Sequence, residues 1–275
     1  KNEDQAAEKA TRMYHSVSEH TVKAFDTDIV ELRGLVAELG GRAERAIDEA
    51  AEVIRAGGLV ITPTRTQYNL ICDAFNADAI QRVFDVKKRT KFGPLTFSIA
   101  NPAEAARHVV VPEWVAPDAF ERLWPGELTL IFDKACDLPP AFTMGYDTLG
   151  VACQGVSPLE DIIRAAGRPV GATSANISGQ GDIFVDLDKA VADIGDGVDL
   201  IIDLGGDTPG ATSDSAVKAN TIVDFTFERP YLVRAGVYPV SRIQEVFPNL
   251  DTDTEAYKQR LMQRVNEVRG RAASA

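Results

Sequence analysis

The 275-residue sequence predicts a layered α/β fold, and three observations carry that expectation. Short apolar runs of strand length alternate with segments of helical period. Gly and Pro stand at the joints between them. The composition, 45% hydrophobic and 25% charged, is that of an ordinary globular chain.

Residues 1–27 show weak periodicity and are expected to be loosely ordered. From Asp28 to Gly58 the apolar residues recur at helical spacing, and Gly40-Gly41 is expected to split this stretch into two helices. LVITP (59–63) reads as a buried strand, and DAIQRVFDVKKR (78–89) as an amphipathic helix with Ile80, Val83, Phe84 and Val86 on its apolar face. PLTFSIA (94–100) is a strand, followed by helices near 102–108 and 113–123 and then by the turn and strand of WPGELTLIFD. LGVAC, PLEDIIRAAG and PVGATSAN give strand, helix and strand. A short helix (DKAVADIG), three further strands (DLIIDLG, NTIVDFT, YLVRAG) and a terminal helix complete the chain. The expected organisation is an extension over 1–40, a sheet domain over 41–250 and a helical tail over 251–275.

Composition excludes several classes. No apolar run approaches the ~20 residues that span a bilayer, and the opening KNEDQAAEKATRMYH is too polar for a signal peptide. Cys72, Cys136 and Cys153 are far apart, with no CxxC, so free thiols in a reducing cytoplasm are expected rather than a zinc site or disulfides. A net charge of −12 argues against a chain whose main task is gripping nucleic-acid phosphates, while leaving room for a local cationic cleft.

Residues able to do chemistry gather after the strands. PTRTQYNL offers Thr64, Arg65, Thr66 and Tyr68; KKR offers three cations; VGATSANISG places a cluster of hydroxyl and amide side chains directly after an apolar run; Arg234 follows YLV. In open α/β sheets ligands sit beyond strand ends, and hydroxyls, amides, backbone N–H groups and cations are the usual partners of phosphate. The residues therefore point to a small phosphate-bearing ligand, a nucleotide first. Each motif alone has a plainer reading: KKR as a solvated helix end, TSANISG as a helix cap plus turn. The familiar phosphate loops GxxxxGK[ST] and GxGxxG are absent. None of His15, His20 and His108 lies in these loops, which disfavours a Ser-His-Asp arrangement.

Taken in order, the motifs are much more specific. GGLVITPTRTQYNL, VFDVKKRTKFGPLTFSI, WPGELTLIF, DTLGVACQGVSP, ATSANISG, NTIVDFT and YLVRAG resemble, at natural spacing from about Gly57 to Phe247, the successive segments of the YrdC/Sua5 family. The resemblance implies a twisted mixed sheet with flanking helices and a concave, electropositive ligand cleft, in the short form of the family without the extra C-terminal domain. It implies an L-threonylcarbamoyladenylate synthase: ATP, with Mg²⁺, bicarbonate and L-threonine as substrates, pyrophosphate released, and the adenylate passed to proteins of tRNA t6A modification, with tRNA contacted at most indirectly. It places Lys87 and Arg89 on the triphosphate as the catalytic cations. Arg89, Thr148, Ser174, Asn176 and Arg234 would hold the nucleotide. Thr64, Arg65, Thr66, Tyr68, Ser98, Ala152 and Asn220 would line the amino-acid and carbamate side.

Three positions depart from the family pattern. Arg65 replaces an acidic residue, Asn69 replaces a glycine, and Ala152 stands where an arginine is expected to pair with the threonine carboxylate. Either Arg65 supplies the missing cation from a neighbouring loop, or the acceptor differs from L-threonine. A carbamoyl-transferring relative, or a non-catalytic nucleotide- or RNA-binding protein on the same fold, is the alternative.

Overall fold

The computed structural model describes residues 2–88, 93–179, 184–203 and 219–273. The chain divides into two units, Lys1–Ala46 and Ile47–Ala275. The first unit is helical: α1 runs from Asn2 to Arg55, its last turns belonging to the second unit. Helix thus replaces the loose order expected over 1–27, and Gly40-Gly41 does not break it. An interior glycine costs only about 1 kcal/mol relative to alanine, which penalises a helix without stopping it.

The second unit is built on one mixed sheet. Its strands are β1 (Val60–Pro63), β2 (Tyr68–Asp73), β3 (Thr96–Ser98), β4 (Val109–Val110), β5 (Leu128–Lys134), β6 (Thr148–Ala152), β7 (Val170–Ser174), β8 (Leu200–Ile201), β9 (Thr221–Asp224) and β10 (Tyr231–Arg234). The order among the described residues is β10-β9-β5-β6-β3-β7-β2-β1-β8, with β4 paired to β5. The pairs β1–β8, β3–β6 and β5–β9 are parallel and the others antiparallel. The helices are α2 (Ala77–Val86), α3 (Ala119–Leu123), α4 (Pro140–Thr143), α5 (Pro158–Ala166), α6 (Leu187–Ile194), α7 (Val240–Val246) and α8 (Thr254–Ala273). The 102–107 segment is a 3-10 turn rather than an α-helix, and β2, β4, α4 and α7 are additions to the sequence expectation.

Alternation along the strands separates two cores. Leu59, Ile61, Phe97, Leu130, Val151 and Val223 join the larger cluster, with Ile80, Val83 and Phe84 of α2. Val60, Ile71, Val170 and Ala172 point the other way, under Ala50, Ala51 and Ile54 of α1 and Leu159, Ile162 and Ile163 of α5. α5 begins at a Ser157 cap, whose side chain accepts from the Glu160 N–H, and ends at Gly167 in the left-handed conformation. The face carrying the smaller core is covered only in part, and its uncovered portion holds the candidate site.

Candidate functional site

Strand register builds the site. Across four strand pairings, Arg234 stands opposite Ile222, Ile222 opposite Thr129, Thr129 opposite Ala152 and Ala152 opposite Ser98. Residues directly opposite one another share a face, so this row lies on the same side of the sheet. Two residues along β3, Thr96 faces Ala172 of β7; two residues further along β7, Ser174 faces Asn69 of β2. All of these line a cavity of about 190 Å³, together with Thr66, Gln67, Gln154 and Asn220. That volume holds a group of amino-acid or phosphate size. Its wall is hydroxyl and amide, with Arg234 as the cation among the described lining residues.

The loop after β7 is fixed from several sides. The Ser174 hydroxyl donates to Asn176 Oδ1 at 2.6 Å. The Ala175 N–H donates to the Tyr68 carbonyl, and the Ile177 N–H to Asp193. Lys87, buried at the end of α2, donates through Nζ to the Ser174 carbonyl and, at 2.6 Å, to the Asn176 carbonyl. The Ser178 N–H returns to the Lys87 carbonyl. On the opposite side, Asn220 Nδ2 donates to Thr129 Oγ1 at 3.2 Å, and Arg234 Nη2 donates to the Asn220 carbonyl at 3.1 Å. The turn behind Arg234 needs a glycine, because a Cβ on Gly236 would lie 2.3 Å from the Ala219 carbonyl oxygen.

The structure brings six of the expected residues into the cavity: Thr66, Ser98, Ala152, Ser174, Asn220 and Arg234. Asn176 joins them through Ser174. The others lie elsewhere. Lys87 is directed at loop carbonyls and is not part of the wall. Thr148 opens β6, four residues from Ala152 and so about 13 Å away at strand rise. Thr64 closes its own turn, its hydroxyl donating to the Gln67 carbonyl at 2.7 Å, and Tyr68 packs in the larger core. Arg65 pairs with Glu127 at 2.5 Å and is exposed, and it is not among the cavity-lining residues. Arg89 lies outside the described residues.

Sequence reading missed Gln67, Asn69, Thr96, Thr129 and Gln154 as lining residues. A period-2 signal was present in Thr96 and Ser98, an i, i+2 pair on one face of β3, while Gln154 lies two residues past the end of β6. Gln154 is buried, and its Oε1 has no hydrogen-bond partner among the described residues.

Cys153, between Ala152 and Gln154, turns into the larger core. Burial, with Glu160 adding to it, pushes its thiol up to about 12, and burial does the same to Cys72. Cys136 is half-buried and raised less far. Since the thiolate is the nucleophile, iodoacetamide at mildly alkaline pH is expected to alkylate Cys136 in the native protein and to reach Cys72 and Cys153 only after unfolding. Mass spectrometry of the digested protein reads this; native labelling of Cys153 would show a reactive thiol beside the cavity.

The fold and the cavity define a mixed-sheet α/β domain with a polar, hydroxyl-lined ligand site on one face. The family model described as "Telomere recombination" (Sua5_yciO_yrdC) matches residues 52–236, and the chain belongs to that Sua5/YciO/YrdC family. It is 31% identical over 211 residues to a threonylcarbamoyl-AMP synthase of Pyrococcus abyssi, covering 76% of this chain and 59% of that protein. It is 30% identical over 202 residues to the threonylcarbamoyl-AMP synthase of Bos taurus, covering 72% and 70%. Among solved structures, P. abyssi Sua5 complexed with L-threonine superposes with a TM-score of 0.64 at 33% identity, covering 73% of this chain and 56% of that one. The chain thus spans about three-fifths of the length of the P. abyssi relative.

Proposed function

We propose that this protein is a threonylcarbamoyl-AMP-type synthase, forming an N-carbamoyl-amino-acid adenylate from ATP, bicarbonate and an amino acid with release of pyrophosphate. The observation that supports this reading best is the cavity itself: a row of Ser, Thr and Asn side chains with Arg234 at one end, in a chain whose relatives bear that name. The amine of the amino acid and bicarbonate give a carbamate with loss of water, and a carbamate oxygen attacks the α-phosphate of ATP. Pyrophosphate leaves. No protein nucleophile is required, so positioning and neutralisation of charge supply most of the catalysis. Ser174, with Asn176 behind it, holds phosphate or ribose oxygens; Arg234 borders the nucleotide; Thr66, Ser98 and Asn220 face the carbamate side. Lys87 acts by holding the Ser174–Asn176 loop.

The cavity wall carries no carboxylate or histidine among its described residues, and no cluster of such side chains suited to a metal stands elsewhere among them. We therefore assign Mg²⁺ to the substrate, entering on the ATP phosphates. No helix among the described residues is long and apolar enough to cross a membrane; a cytoplasmic location and service to tRNA t6A modification belong to the same proposal.

Ala152 leaves open which amino acid is accepted. The test is a reaction with ATP, Mg²⁺, ¹³C-bicarbonate and a mixture of amino acids, followed by mass spectrometry and pyrophosphate release. The expected product is a labelled carbamoyl-amino-acid adenylate. Tight ATP binding without either product would overturn the synthase reading.

A further inference from the structure

The helical first unit carries a feature that the ligand site does not use. In α1, Phe25, Ile29, Leu32, Val36 and Leu39 recur at spacings of four, three, four and three. This is a heptad pattern with Ile29 and Val36 at position a and Phe25, Leu32 and Leu39 at position d. Four of the five are exposed to between 61% and 65% of their surface, and Ile29 is half-buried. Most of the stability of a protein helix comes from packing its apolar face, and a stripe of large apolar side chains left in solvent marks an interaction surface.

We propose that this stripe is the seam of a parallel two-stranded coiled coil with a second copy of this chain. Two observations select that occupant. β-Branched residues at a with leucine at d favour two parallel strands. The flanking charges fit the same arrangement: Asp28 is at g and Arg33 at the following e, both exposed, the two positions that meet across a parallel dimer. The pairing occurs twice by symmetry, Asp28 of each chain against Arg33 of the other. The weak helix formers do not interrupt the seam, because Gly34 and Gly41 fall at f and Gly40 at e. Ala43 at the next a and Val22 at the preceding one extend the register in sequence.

Sedimentation equilibrium of the full chain over a broad dilution series tests this. The wild type is expected to be a dimer that dissociates on dilution, and Leu32→Glu to raise the dissociation constant by roughly tenfold or more, with the thermal unfolding of the sheet domain unchanged. A monomer at every concentration, or a dimer indifferent to Leu32→Glu, overturns the proposal. Because Leu32→Glu could melt the helix, charge exchange gives an independent reading. Asp28→Arg and Arg33→Asp are each expected to weaken the homodimer, and a mixture of the two variants to form the heterodimer in preference, since both cross pairs are then opposite in charge. No preference in the mixture overturns the parallel register.

Discussion

Replacing Lys87 by Met is expected to lower the melting temperature by about 5–10 °C and to reduce ATP-dependent adenylate formation roughly a hundredfold. Methionine keeps most of the buried stem and removes the ammonium. Two carbonyls, those of Ser174 and Asn176, then lose a charged donor in the interior. Hydrogen bonds to charged groups contribute about 1.5–3 kcal/mol each, offset in part because the variant no longer buries a cation. A net loss of about 2–3 kcal/mol follows, which for a unit of this size corresponds to the stated shift. Turnover falls because the loop places Ser174 in the cavity wall. Thermal melts and initial rates separate this role from direct contact with phosphate. A lysine that only touched the triphosphate would raise KM for ATP and leave the melting temperature unchanged; that outcome would remove the loop-holding role.

Lys87 also shows where sequence reading reaches its limit. Its charge and its position at a helix end are legible; its direction is not, because that depends on the loop after β7 returning to the end of α2. The alternation of strand and helix was legible because buried strands are short apolar runs and α2 and α5 have clear apolar faces. β2 was absorbed into the preceding polar loop, since Thr64–Gln67 supplies the turn chemistry and the pleat begins only at Tyr68. The helix through Gly40-Gly41 escaped because punctuation by glycine is a propensity and not a barrier. In the site, motif adjacency misled at Thr148, which shares a strand with Ala152 but stands at its other end. The residues that line the cavity come from seven strands and their loops, and register, which no single stretch of sequence contains, decides which of their side chains meet.

Ala152→Arg is expected to tighten binding of L-threonine by about ten- to a hundredfold. The Ala152 end of the cavity is flanked by Ser98 and Thr129 across the sheet and by Gln154 just past the end of β6. All three are neutral. Arg234 stands three strand spacings away, about 14 Å at the backbone, and Arg65 is engaged with Glu127 outside the wall. A carboxylate placed beside Ala152 therefore meets only neutral donors. A charged donor adds about 1–3 kcal/mol over that arrangement, and each 1.4 kcal/mol is tenfold in affinity. The cost falls on the empty protein, where the new guanidinium is buried without a partner. The variant is thus expected to melt below the wild type without ligand and to gain more than the wild type from added L-threonine. Arg65→Ala is expected to leave threonine binding unchanged. Calorimetric titration with L-threonine, paired with melts in its presence and absence, measures each effect. If Ala152→Arg folds and binds threonine no better, the carboxylate lies at another part of the cavity. If Arg65→Ala weakens binding, the loop cation takes part after all, and the neutral end of the cavity must then receive a different group of the acceptor.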